Sequence, residues 1–103
     1  GPPSAAAKGR PTPVSLTVQL DGAAPQLAVV ARFPGGADAA DVFIEAPESI
    51  FVPMTKRLDV KPDGTATFIS SLSAATAKDL KGKTLTVTLV GPAGAAELPL
   101  KIP

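Results

Sequence analysis

The sequence predicts an all-β fold: an immunoglobulin-like antiparallel β-sandwich of seven to eight short strands, with one short helix near residues 73–80. Three observations carry this. Apolar and polar residues alternate in several short runs, the period of a strand that buries one face. The 12 Pro and 9 Gly in 103 residues leave little space for long helices. Turn signals recur roughly every 8 to 12 residues, the spacing of a sandwich or small barrel. No internal repeat is present.

The elements follow in order. Gly1-Pro2 reads as a protease-cleavage remnant, and residues 1–13 as a flexible Pro/Ala-rich linker without periodicity. The domain proper is expected over residues 14–103. Val14, Leu16, Val18 and Leu20 alternate with polar residues as a first half-buried strand. Asp21-Gly22 breaks it. Leu27, Val29, Ala31 and Phe33 form the apolar face of a second strand, ended by Pro34-Gly35-Gly36. In DVFIEA (41–46), Val42, Ile44 and Ala46 face the core, while Asp41, Phe43 and Glu45 face away.

Ile50-Phe51-Val52 is a short apolar run stopped by Pro53. TKRLDVK (55–61) suits an edge strand, because charge on an edge discourages pairing with other chains. Pro62-Asp63-Gly64 is a turn: Pro presets φ and Gly tolerates positive φ. TATFIS (65–70) is the next strand, anchored by Phe68. Ser73 can cap a helix of one or two turns ending at Leu80, with Gly82 as its stop. Leu85, Val87 and Leu89 alternate with threonines in the clearest strand. Gly91-Pro92-Ala93-Gly94 forms a hairpin loop. Leu98, Leu100 and Ile102 mark the last strand, and Pro99 places it at an edge, since it has no N–H for a ladder.

Composition restricts the chemistry. The chain has no Cys, His, Trp or Tyr. That removes disulfides, thiolate nucleophiles, Cys/His zinc sites, a Ser-His-Asp triad and histidine acid–base work. No catalytic, cofactor-binding or metal-ligating residue is assigned, no cofactor is expected, and the domain by itself is read as non-enzymatic. Net charge is +1 and no aromatic residue interleaves the lysines, so nucleic acid is not an expected partner. No apolar run approaches the ~20 residues of a membrane span, so the fragment is not expected to insert in a membrane.

Several clusters merit weighing. Asp41 and Glu45 share a strand face about 13 Å apart, too far to hold one cation; with Asp38 and Glu48 they read as a solvated face. Ser49, Ser70, Ser71 and Ser73 have only lysine as a basic partner. The stretch around Ile50, Phe51, Val52 and Met54 is apolar between two turns. Its plain reading is a short core strand closing one end of the sandwich; its functional reading is a patch that docks another domain.

The stretch DVFIEAPESIFVPM (41–54) resembles a D-[LV]-F-[IV]-E-x-P strand pattern of the periplasmic immunoglobulin-like domain of the DsbD/ScsB group of membrane thiol–disulfide interchange reductases. Phe68 to Leu72, the small-residue helix, the stretch from Leu80 to Val90 and the Gly-turn hairpin continue the similarity, which spans residues 26–102. The resemblance implies a bacterial periplasmic domain of an inner-membrane protein, acting in disulfide, redox or copper-stress pathways. It implies as partners the adjacent domains of the parent protein and periplasmic redox proteins. That group works through a cysteine pair, which this chain lacks, so no catalytic position carries over. The expected role is structural or docking, by a monomer. The alternative is a sandwich module of a bacterial cell-surface or adhesin protein.

Overall fold

A computed structural model describes residues 9–103. Among these, seven strands and one helix follow in the order β1 (Thr12–Gln19), β2 (Gln26–Arg32), β3 (Asp41–Glu45), β4 (Lys56–Leu58), β5 (Thr65–Ser71), α1 (Ala74–Leu80), β6 (Thr84–Gly91) and β7 (Gly94–Lys101). Two antiparallel sheets form, ordered β1-β2-β5-β4 and β3-β6-β7. Lettered A to G along the chain, the sheets are A-B-E-D and C-F-G, the immunoglobulin constant-type arrangement. The expected sandwich is therefore the fold.

The inner faces are the alternating sets read from the sequence. Leu27, Val29, Ala31 and Phe33 from the β2 side meet Val42 and Ile44 of β3 and Leu85, Val87 and Leu89 of β6. Each fully buried Leu or Val of this kind contributes roughly 1.5–3 kcal/mol. Phe33 and Phe68 pack edge-to-face with ring centroids 5.6 Å apart. Leu80 and Ala77 turn the short helix onto the same core. Ser73 caps it by accepting from the Thr76 N–H at 3.1 Å, and Gly82 leaves it at φ +76°.

The first strand differs from the expectation in two ways. It begins at Thr12, two residues before Val14, and of the linker expected over 1–13, residues 1–8 lie outside the described residues. Pro11 is buried, and Gly9 packs on the β6–β7 turn at Ala93. A bulge between Pro13 and Ser15 then breaks the register with β2. It throws Val14 outward, 62 % exposed, instead of onto the core face. Leu16, Val18 and Leu20 keep their places against the core.

The β4–β5 connection is a tight hairpin. The Gly64 N–H donates to the Lys61 carbonyl, and the Lys61 N–H to the Thr65 carbonyl. Gly64 sits at φ +88°, the left-handed residue that a turn of this kind needs. Its backbone also accepts from the Phe33 N–H at 2.8 Å, tying the turn to the core.

Candidate functional site

The connection from β3 to β4 crosses from one sheet to the other and carries the candidate patch. It opens on a turn in which the Ile50 N–H donates to the Pro47 carbonyl, with Glu48 at φ 60° and Ser49 at φ 58°. Two successive non-glycine residues in the left-handed region cost roughly 1–2 kcal/mol each. Packing of Ile50 against the core and the Glu48–Lys83 ion pair hold the turn.

Residues 50–54 form no strand. The four patch residues divide by direction. Ile50 and Val52 are partly buried against the core. Phe51 and Met54 point out, 74 % and 85 % exposed. The core strand expected here is absent, because the chain is crossing between sheets; Ile50 and Val52 still pack inward while Phe51 and Met54 stay in solvent.

Three hydrogen bonds fasten the crossing segment. The Ser70 hydroxyl, fully buried, donates to the Pro53 carbonyl at 2.7 Å. The Thr55 hydroxyl donates to the Val42 carbonyl at 2.8 Å. The Arg57 guanidinium, reaching from β4, donates to the Ala40 carbonyl at 2.9 Å. The last two bridge the sheets on the side where β3 and β4 are both edge strands.

Between β3 and residues 52–55 lies a groove of about 240 Å³. Its walls are β3 itself and Val52, Pro53, Met54 and Thr55. Small-molecule and cofactor pockets usually hold about 300–1,000 Å³. This groove is smaller than that and opens to solvent. Phe43, 47 % exposed, stands on its outer lip. Both charged residues lining it, Asp41 and Glu45, are acidic.

Some members of the other clusters take local roles. Among the described residues no three Asp or Glu side chains gather to hold a metal ion. Asp41 accepts from the Val42 N–H at 2.8 Å, and Glu48 pairs with Lys83. Ser73 is the helix cap. Among the described residues no helix is long and apolar enough to cross a membrane.

The alternation in DVFIEA puts Phe43 on the outward face but does not tie it to the patch, and no sequence pattern gives Thr55 or Arg57 a contact across the sheets. An aromatic residue on a solvent face, flanked two residues away on each side by a carboxylate, was the available signal for Phe43. Nothing local marks Thr55 or Arg57, because their partners lie 13 and 17 residues away.

The chain belongs to the family described as "Domain of unknown function (DUF8393)", whose model matches residues 3–103. No curated protein and no solved structure matches the chain.

Proposed function

We propose that this family member is a non-catalytic docking module that meets a neighbouring protein through the side of the sandwich where β3 and the 50–55 segment lie. One observation carries the reading. Phe51 and Met54 are held outward by a backbone fixed on both flanks, with Phe43 on the lip of the adjoining groove. Large apolar side chains so displayed are surface that a partner can cover.

We place the module in the bacterial periplasm, within a membrane thiol–disulfide reductase of the DsbD/ScsB type. The sequence pattern over residues 41–54 supports this placement. In that setting the cysteine-free sandwich positions or shields a redox-active neighbour. The neighbouring domains carry the thiol exchange.

Titration of the isotope-labelled domain with the remainder of its parent protein tests the docking reading. Amide shifts centred on residues 50–54 are expected. Shifts confined to other surfaces, or none, overturn it. The parent sequence tests the placement: a cysteine-bearing domain and a transmembrane bundle beside this module are expected, whereas tandem sandwich copies would assign it to an adhesin instead.

A further inference from the structure

We infer that the free edge of β3 receives an extended segment of the partner, pairing with Ile44 and carrying a basic residue opposite Glu45 and an apolar residue opposite Phe43. The inference rests on the docking reading and specifies the partner's chemistry.

The backbone comes first. Among the described residues β3 pairs only with β6, on one side. Val42 turns both of its backbone groups to the free side, where Asp41 and Thr55 cap them. Antiparallel pairing alternates the direction of these groups, so those of Ile44 point to the same free side. Among the described residues nothing caps them. One donor and one acceptor therefore stand open beside the groove, the arrangement that strand addition uses.

Side chains supply the selectivity. On the outer face, Phe43 and Glu45 flank Ile44, and a residue directly opposite lies about 5 Å away across a strand pair. Asp41 already holds a backbone N–H. Glu45 makes no ion pair among the described residues. An antiparallel segment reading basic–apolar–aromatic from its N-terminal side places a cation on Glu45 and a ring on Phe43. Its central side chain enters the groove against Val52 and Pro53. A second copy of β3 fits poorly: centred on Ile44, it sets Glu45 against Phe43 on both chains and leaves both carboxylates without a cation.

The test uses the 103-residue chain and two capped peptides, Thr-Val-Lys-Val-Phe-Val-Thr and the same peptide with Glu for Lys. With the lysine peptide, amide shifts over residues 43–46 and 52–54 and slower exchange of the Ile44 N–H are expected. Glu45→Lys should weaken the lysine peptide about fivefold, the scale of an exposed ion pair reversed in sign, and make the chain prefer the glutamate peptide. Indifference to charge sign in both chains overturns the assignment, as do shifts elsewhere or self-association through β3. If the parent protein moves residues 50–54 while neither peptide binds, the strand-addition assignment falls and the docking reading stands. If neither parent nor peptide touches this side, both fall.

Discussion

The two edges of the three-stranded sheet are finished differently. At β7, Pro99 removes one ladder donor, and Glu97 and Lys101 are exposed. The hairpin leading into it is sealed by Phe33 packed on Gly91 and by Gly9 packed on Gly94. At β3, side chains cap Ala40 and Val42, while Ile44 is left uncapped beside a groove and an exposed phenylalanine. The four-stranded sheet follows the β7 manner: a bulge and Pro13 on β1, and on β4 only three residues, including Lys56 and Arg57. Exposed edges are ordinarily blunted in such ways, because an open row of backbone groups invites pairing. Three edges here are blunted and one is half open. The exception lies next to the outward apolar side chains, which is why we read it as an interface.

The sharpest way to break the comparison is to truncate one phenylalanine at each place. Phe33→Ala should cost about 3–5 kcal/mol, since a fully buried ring leaves a cavity and its edge-to-face partner Phe68 loses contact. Phe43→Ala should cost below about 1 kcal/mol, as expected of a surface position. Urea unfolding curves measure both. Equal losses would make Phe43 structural and remove it from the interface.

Next in size is the turn that seals Phe33. A Cβ on Gly64 would stand 2.6 Å from the Phe33 carbonyl oxygen, at a backbone φ of +88°. Gly64→Ala should therefore cost about 2 kcal/mol or more. Gly22, at φ +90° with open space around it, is the control. Gly22→Ala carries the φ strain without the clash and should cost about 1 kcal/mol. Equal losses would show that backbone strain alone, not close packing, sets the cost at this end.

The ties on the β3 side are smaller. Thr55→Val and Arg57→Ala each remove one hydrogen bond to a part-buried carbonyl and should cost about 1 kcal/mol. Both should lower the backbone NMR order parameters of residues 52–55 more than those of the β6–β7 hairpin. Unchanged order parameters there would mean that the Ser70–Pro53 bond alone fixes the segment.

How much of this could be read from the sequence differs between the same regions. The strands facing the core were legible because their alternation is forced: a one-residue slip would turn Leu85, Val87 and Leu89 to solvent. The helix was legible from Ser73 and Gly82, and the β4–β5 turn from Pro62-Asp63-Gly64. The β1 bulge was not, because Val14 continues the alternation that the bulge breaks. The patch was half legible. Its apolar composition marked residues 50–54, but their alternate directions follow from the crossing between sheets. The caps on β3 come from contacts distant in sequence, which no local pattern encodes.

The smallest expected effect is electrostatic and lies in the four-stranded sheet. Asp63 accepts from the Thr65 hydroxyl at 2.7 Å and from the Thr65 N–H at 2.9 Å. These bonds, the hydroxyl first, hold its carboxyl below the ordinary carboxylate range, with smaller help from Lys61 and Arg32. A lowered folded-state pKa means that the unfolded chain binds the proton more readily. The stabilisation is then present above the unfolded value of about 3.9 and fades as pH falls through the folded value. Asp63→Asn keeps an acceptor for Thr65 but removes the titration. The drop in urea midpoint between about pH 6 and about pH 2.5 should therefore be smaller in the variant than in the parent chain. The difference should be slight, because the carboxyl is fully exposed and water competes for it. An identical drop in both chains would mean that the Thr65 bonds do not discriminate between the charged and neutral carboxyl.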